Sequence, residues 1–100
     1  MERLYKESEL LYVKVSPPRI KILQYLNREN DFVKVTKLAE DLKMGRGKVY
    51  FHCKGLKGKE MIQLERATPR SLHAKITEKG KQVIEQINVN IKQKRGKSIE

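Results

Sequence analysis

The sequence predicts a mainly α-helical domain with a small β-hairpin, which places it in the α+β class. Apolar residues recur at helical spacing through residues 17–57 and alternate with polar residues over 61–76. Helical spacing returns from residue 77 onward. One hundred residues suffice for one domain with a single modest core. We therefore expect one domain over residues 1–92, followed by a basic flexible tail over residues 93–100.

The net charge of +11 is far above what solubility requires, and it makes an anionic partner the leading expectation. The excess is uneven along the chain. Residues 1–45 carry nine Lys and Arg against seven Asp and Glu, whereas residues 46–100 carry fourteen against five. The positive charge is thus concentrated in the second half of the chain.

The composition indicates an intracellular protein. No apolar run approaches the ~18 residues of a membrane-spanning helix, and the N-terminal residues lack the apolar core of a signal peptide. The single cysteine cannot form an intramolecular disulfide, so nothing in the sequence argues for secretion. We expect a cytoplasmic protein associated with the nucleoid, without membrane contact.

The first part of the chain is expected to hold two helices and a short strand. Apolar residues at heptad-like spacing over Glu2–Val15 favour a helix, although Tyr12–Val15 fits a strand equally well. Ser16 is a candidate helix cap, and the two prolines after it suit a first helical turn, where a missing N–H costs nothing. The second helix is expected to end near Asn27, before a β-prone segment at Phe32–Val35.

Two further helices are expected to follow, joined by a turn at Met44 and Gly45. Thr36 is the predicted cap of the first of them, whose buried side carries Leu38, Ala39 and Leu42. In the second, three apolar residues at positions i, i+4 and i+7 share one face; they are Val49, Cys53 and Leu56.

The rest of the helix that carries Val49, Cys53 and Leu56 is basic and aromatic, and it contains no acidic residue. Its exposed positions carry Arg46, Lys48, Tyr50, Phe51, Lys54 and Lys57. A narrow apolar seam opposite such a face suits a helix that docks on one side and contacts a polyanion with the other. An ordinary solvated amphipathic helix would show the same charge pattern.

After this helix the apolar period changes to two. Met61–Arg66 and Leu72–Ile76 alternate as strands, and Ala67–Ser71 between them predicts a turn. The hairpin carries Arg66, Arg70, His73 and Lys75. Thr77 is the predicted cap of a last helix, whose apolar stripe is formed by Val83, Ile84, Ile87 and Ile91.

This order of elements is that of the winged helix-turn-helix fold, and several segments resemble the ArsR-type regulators. Leu10–Leu23 is similar to the entry of that family, in which a helix ends in a Pro-containing turn before an Arg and an Ile-Leu pair. The family has a Val, a His and a second Leu at the positions of Val49, His52 and Leu56. Its recognition helix is followed by a hydrophobic exit, which corresponds to Met61 and Ile62.

Ile76–Gly80 resembles the Leu-Thr-Glu-Lys-Gly stretch that closes the wing in ArsR, MarR and PadR relatives. The resemblance covers about residues 8–90 and implies a DNA-binding regulator. One departure is that the helix that precedes the recognition helix lacks the Cys-x-Cys pair of ArsR-type metal sensors. Another is that Gly58-Lys59-Glu60 replaces the usual Gly before Met61.

The sequence predicts neither a metal site nor a cofactor. Cys53 stands where the family has a buried Leu and is interpreted as a core thiol rather than a metal ligand or redox sensor. His52 and His73 lack the further ligands of a zinc site, and His52 is interpreted as a hinge or phosphate contact. No nucleophile–base–acid set or phosphate-binding loop indicates an enzyme.

The predicted function is that of a double-stranded DNA-binding transcription regulator, with the recognition helix in the major groove and the wing at the minor groove. The predicted DNA-binding residues are Thr36, Lys37, Arg46, Lys48, Tyr50, Phe51, Lys54, Arg66, Arg70 and Lys75. Two alternatives remain open. One is a sequence-tolerant architectural DNA-coating protein, and the other is a winged helix that binds an acidic protein.

The terminal helices are expected to form a homodimer, because a small domain buries one side of each and leaves apolar surface over. The resemblance implies the same assembly. The predicted interface residues are Leu4, Leu11, Tyr12, Val15, Val83, Ile84, Ile87 and Ile91. The alternative is a monomer in which both stripes pack against the body of the domain.

Overall fold

The computed structural model describes residues 4–6, 10 and 13–99, and of residues 89–99 it describes the backbone alone. Besides the helical Leu10, the described residues form four helices and three strands in an α+β arrangement. In chain order they are α1 (Pro17–Glu29), β1 (Val33–Lys34), α2 (Val35–Leu42), α3 (Arg46–Gly58), β2 (Ile62–Thr68), β3 (Ser71–Ile76) and α4 (Glu78–Ile99).

The ends of α1 follow from its sequence. Ser16 has extended backbone angles and Pro17 opens the helix, where its missing N–H removes no hydrogen bond. Ser16 makes no side-chain capping bond, so the capping predicted for it is not observed. The helix ends at Asn30, which adopts the left-handed conformation at φ 52° and donates its N–H to Leu26 O.

The start of α2 differs from the prediction. The capping position is Lys34 and the helix begins at Val35, so that Thr36 lies inside the first turn and does not cap it. The reason is that β1 runs directly into α2, and Val35 is buried. α1 and α2 are joined by a hydrogen bond that the Tyr25 hydroxyl donates to Asp41 Oδ2. This bond, followed by burial, raises the pKa of Tyr25 to about 12.

The three strands form an antiparallel sheet in the order β1-β3-β2. Val33 pairs with Ala74, and Ile62 pairs with Ile76. The hairpin of β2 and β3 projects beyond the short β1, with an irregularity between Arg66 and Thr68. This hairpin is the wing, and the predicted β-hairpin is therefore present.

The core lies between the helices and one face of the sheet. It contains apolar residues from every element, and those with no exposed surface are Ile22, Leu23, Leu26, Leu38, Val49, Cys53, Leu56, Met61 and Ala74. Burial raises the pKa of the Cys53 thiol to about 11, which keeps it protonated and unreactive at neutral pH. The interpretation of Cys53 as a core thiol agrees with this burial.

Thr77 joins the start of α4 to the turn that ends α3. Its N–H donates to Met61 O at 3.0 Å, and its hydroxyl donates to Glu60 O at 2.7 Å. The same hydroxyl oxygen accepts the N–H of Gly80 at 3.1 Å, so Thr77 caps α4 as predicted. A Cβ at Gly80 would lie 2.3 Å from Met61 O, and the close approach of α4 to this turn therefore requires glycine.

Around the predicted first helix the structure describes Leu4–Lys6, Leu10 and Val13–Ser16. Leu10 is helical and donates its N–H to Lys6 O at 3.2 Å, whereas the segments on either side are neither helix nor strand. Leu11 and Tyr12 lie outside the described residues. Tyr5 is held by the side chain of Gln82, which accepts from its N–H at 3.0 Å and donates to its carbonyl at 2.9 Å. Val13–Ser16 are not helical, so the predicted helix does not reach Val15, and they are not a strand either. How far the helix extends on either side of Leu10 stays a prediction.

The last helix is longer than predicted. α4 continues to Ile99, so residues 93–99 belong to it rather than to a separate tail. The predicted domain boundary at residue 92, and the flexibility of the segment beyond it, stay predictions.

Candidate nucleic-acid interface

Helix α3 is fixed to the domain by one narrow face. Val49, Cys53 and Leu56 have no exposed surface, as their spacing predicts. The helix begins after Gly45 and ends at Gly58, where the N–H of Lys59 bonds back to Gly55 and Leu56 carbonyls. The other residues of α3 lie on its two flanks and its outer face.

On the flank that faces the wing, the surface forms two clefts of about 180 and 270 Å³ that share Tyr50, Arg66 and Leu72. The smaller cleft also reaches the start of α2. Cations from three elements meet here, and none of the described lining residues is acidic. The cations are Lys34, Arg46, Lys54, Lys57, Arg66 and Arg70.

Two aromatic side chains of α3 are unusually exposed. Phe51 is 66% exposed and Tyr50 is 40% exposed, although burial of such rings would stabilise a free-standing domain. The ammonium of Lys54 lies 5.4 Å from the Tyr50 ring centroid, within the range of a cation–π contact. An exposed helix face that combines rings and cations suits contact with bases and phosphates.

The tip of the wing is organised by its own polar groups. Arg66 Nη1 donates to Pro69 O at 3.2 Å, and Arg70 N donates to Thr68 Oγ1 at 3.3 Å. Both arginine side chains line the smaller cleft, beside Arg46 and Tyr50 of α3. The wing and α3 thus present one continuous basic surface.

The predicted DNA-binding residues do not all lie at these clefts. Thr36 lines the smaller one, whereas Lys37 is exposed on α2 beyond it. Lys75 alternates with the buried Ala74 and Ile76, so it projects from the opposite face of the sheet, where its Nζ lies 5.7 Å from the Phe32 ring centroid. The structure does not bring Lys75 together with the other predicted residues.

The clefts are also lined by Lys34 and Lys57, which are not among the DNA-binding residues predicted from the sequence. Lys57 follows Lys54 by three residues and Tyr50 by seven, so helical spacing alone places it on the same flank. Lys34 gave no such signal, because its position beside Arg66 depends on how β1 enters the sheet.

The opposite flank of α3 faces the start of α1. Arg19 Nε donates to His52 Nδ1 at 3.1 Å, and the Arg19 guanidinium lies 5.8 Å from the Phe51 ring centroid. Burial, and then the charges of Arg19 and Lys48, lower the pKa of His52 below its ordinary value. His52 is thus bonded within the protein on this flank, whereas the sequence suggested a hinge or phosphate contact.

Two of the predicted dimer-interface residues are core residues of the single chain. Val83 is 3% exposed and Ile84 is 2% exposed, so their side chains are not left over for a partner. The first turns of α4 pack on the domain, which the apolar stripe alone could not distinguish from a dimer contact. Val15 and Ile87 are partly buried against the same core, Leu4 is 50% exposed, and the side chain of Ile91 is not described.

Within the described residues, no group of three or more His, Cys, Asp and Glu side chains is placed to hold a metal ion. None of the described helices combines the length and the apolar character needed to cross a membrane.

Solved structures of transcription regulators share this architecture. A mutant of ZitR from Lactococcus lactis matches with a TM-score of 0.72 and 26% identity over 97% of this chain. The chain has the winged helix-turn-helix fold. A MarR family protein from Bacillus stearothermophilus matches with a TM-score of 0.75 and 17% identity over 93% of the chain. A Staphylococcus aureus MepR mutant, solved bound to an oligodeoxyribonucleotide, matches with a TM-score of 0.79 and 16% identity over 93% of the chain.

These structures are similar in fold, and all three of their chains are longer than this one. The chain spans 66% of the ZitR chain and of the MarR family protein, and 70% of MepR. No protein-family model matches the sequence, and no curated protein matches it. The resemblance to ArsR-type regulators is not confirmed, since the structural similarity is to MarR-type winged helices.

Proposed function

We propose that the protein is a double-stranded DNA-binding transcription regulator. The observation that carries the proposal is the acid-free helix α3 standing beside a wing whose arginines line the same clefts. A surface with this density of cations attracts the phosphate backbone, and its exposed rings and forked arginines can contact base edges. A structure of the same fold bound to an oligodeoxyribonucleotide supports the proposal.

In the proposed complex, α3 lies in the major groove. Arg46, Lys48 and Lys54 contact guanine edges or phosphates, and Tyr50 and Phe51 meet thymine methyl groups. Thr36 and Lys37, in the first turn of α2, contact a phosphate through their side chains and the helix N-terminus. The cleft that Thr36 shares with Arg46 supports this role.

The wing is proposed to reach the minor groove. Arg70 stands at its exposed tip, and Arg66, bonded to Pro69 O, supports the tip from one strand. Arginine is favoured in a narrow minor groove, where the negative potential is concentrated. Lys75 is left out of the proposed interface because it projects from the other face of the sheet.

We also propose a homodimer, which would place two recognition helices about one helical turn of DNA apart, ~34 Å, and favour a palindromic site. Leu4 supports it as an apolar side chain that the single chain leaves half exposed. Ile87, on the same helix as the buried Val83 and Ile84, would lie at the edge of such a contact. The protein would bind chromosomal DNA in the cytoplasm.

A sequence-tolerant architectural protein remains the second candidate, and the net charge of +11 favours it. Fluorescence anisotropy on a selected duplex and a random duplex, each at several salt concentrations, distinguishes the two. A regulator is expected to bind the selected duplex at least about 10³-fold more tightly than the random duplex. Equal affinities with a steep salt dependence indicate the architectural protein, and no binding to either duplex contradicts both and favours a protein-binding module.

A further inference from the structure

A separate cavity, of about 290 Å³, lies on the flank of α3 that faces away from the wing. It is bounded by the segment before α1, the first turn of α1, and the second half of α3 with its following turn. Its lining residues are Lys14, Val15, Ser16, Arg19, His52, Leu56, Lys59 and Met61. The buried side chains of Leu56 and Met61 form an apolar floor under a basic rim.

Arg19 is held in this cavity by α3 rather than left free at the surface. Its Nε donates to His52 Nδ1 at 3.1 Å, and its guanidinium lies against the Phe51 ring. Gly55 provides the space, because a Cβ at that position would lie 2.4 Å from Arg19 Nη2. The side chain is therefore oriented before any ligand arrives, which reduces the entropy that binding would cost.

The charged residues that line the cavity are basic, and Glu60 lies outside it, in an adjoining cleft that shares Lys14 and Lys59. Among the described residues that line it none is acidic, and none of the described carboxylates forms an ion pair with Lys14, Arg19 or Lys59. The nearest acidic residue in sequence, Glu60, pairs instead with Lys79 at 3.8 Å. The Nη atoms of Arg19 have no hydrogen-bond acceptor within the part of the chain that the structure describes.

We propose that this cavity binds a small oxyanion, the phosphate or carboxylate group of a low-molecular-weight ligand, between Arg19, Lys14 and Lys59. The guanidinium fork supplies paired donors to two oxygens, and the two ammonium groups close the rim. The Ser16 hydroxyl, which makes no capping bond, is a further donor. The apolar floor would take the uncharged part of the ligand.

Burial is the main cause of the lowered pKa of His52, and the positive charge of Arg19 is the next. A bound oxyanion would oppose that charge and raise the pKa of His52. His73 lies on the outer face of the sheet, where it bonds to Ser71 at 2.7 Å, so it serves as an internal control.

The first test titrates the free protein with inorganic phosphate and follows the ring protons of both histidines by NMR as a function of pH. Sodium chloride at matched ionic strength is the reference. We expect phosphate to raise the pKa of His52 with saturation and to leave His73 unchanged relative to chloride. No response of His52, or equal responses of both histidines, would overturn the proposal, because only general screening would then be present.

The second test uses matched glycine variants. Gly55→Ala displaces the flexible end of Arg19, whereas Gly47→Ala on the same helix meets nothing within 4 Å. We expect about a tenfold loss of phosphate affinity in Gly55→Ala, or about 1.4 kcal/mol, and no loss in Gly47→Ala. Equal affinities in both variants, with both folded, contradict the role of Arg19.

The double variant Lys14→Gln/Lys59→Gln identifies the source of the oxyanion. Both side chains are exposed, so the fold is retained. We expect it to lose phosphate affinity about tenfold while its affinity for duplex DNA stays within about twofold of the parent. A loss of DNA affinity with a flatter salt dependence and unchanged phosphate binding would mean that the cluster contacts the DNA backbone, and would overturn the small-ligand site.

Discussion

Arg19 and His52 form a hydrogen bond in which the histidine must be neutral. Arg19 Nε is the donor and His52 Nδ1 the acceptor, 3.1 Å apart, so a proton on that nitrogen would abolish the bond and place two cations side by side. The pair joins the first turn of α1 to the middle of α3, the helix that carries the proposed recognition surface.

The first prediction follows from the lowered pKa of His52, for which burial is the main cause and Arg19 and Lys48 contribute. A histidine whose pKa is lower in the folded state than in the unfolded state contributes its full stabilisation above the unfolded-state pKa of about 6.5. That contribution is lost as the pH falls toward the folded-state pKa. Urea unfolding between pH 8 and 5 should therefore show a decline that His52→Gln reduces. His73→Gln is the control, and identical pH profiles in all three proteins contradict the prediction.

The second prediction concerns two exposed lysines of α3, Lys48 and Lys54. Lys48→Glu/Lys54→Glu should abolish DNA binding at physiological salt and leave the melting temperature close to that of the parent, because both side chains are exposed. A milder pair, Lys48→Gln/Lys54→Gln, should flatten the plot of log affinity against log salt by roughly two units, one for each lost phosphate contact.

The matched control for the charge reversal is Lys21→Glu/Lys81→Glu, which changes the net charge equally but lies on α1 and α4. We expect it to weaken binding far less. Equal losses in the two reversed pairs would mean that net charge, rather than the α3 surface, determines the affinity.

The third prediction concerns Arg70 at the wing tip. Arg70→Ala should weaken binding more on duplexes with A·T-rich flanks than on those with G·C-rich flanks, because a narrow A·T minor groove concentrates negative potential around an inserted arginine. Anisotropy titrations on two duplexes that differ in their flanks alone measure the difference. Equal losses on both would make Arg70 a plain phosphate contact.

The fourth prediction compares two glycines. Gly47→Ala has open space and a helical conformation, so it should stabilise the fold by up to about 1 kcal/mol. Gly80→Ala places its Cβ 2.3 Å from the Met61 carbonyl, and we expect it to destabilise the fold by about 1–3 kcal/mol. Urea unfolding of both variants measures the two changes, and a Gly80→Ala protein as stable as the parent would show that the contact relaxes freely.

The fifth prediction concerns assembly. Sedimentation of the parent should give a species of twice 11.7 kDa, and Ile87→Glu should convert it to a monomer with weakened DNA binding. Because Ile87 is partly buried against the core, Leu4→Glu provides a second variant at a half-exposed position. A parent that stays monomeric at high concentration excludes the dimer.

Periodicity was sufficient to predict the buried faces of the helices and the hairpin, because each depends on local spacing. Val49, Cys53 and Leu56 are buried as their positions indicate. The same reasoning failed for Val83 and Ile84, since an apolar stripe does not say whether it packs within one chain or between two. It also failed at Thr36, where β1 leads straight into α2 and moves the helix start.

The less predictable features of the candidate site depend on contacts between residues distant in sequence. Nothing near Arg19 indicates that it bonds to a residue 33 positions away, and nothing near Lys75 indicates which face of the sheet it takes. Charge and composition predict an anionic partner, which stays a prediction. The grouping of cations on two separate flanks of α3 appears only in three dimensions.

The bonds of Thr77 have a mechanical consequence. Two hydrogen bonds and the close packing of Gly80 hold the start of α4 against the turn between α3 and β2, and a third bond caps α4, so we expect these parts to move together. In a dimer joined through α4, that helix would act as a lever arm. A change in its tilt would alter the spacing of the two recognition helices, and with it the length of the DNA site that both can reach.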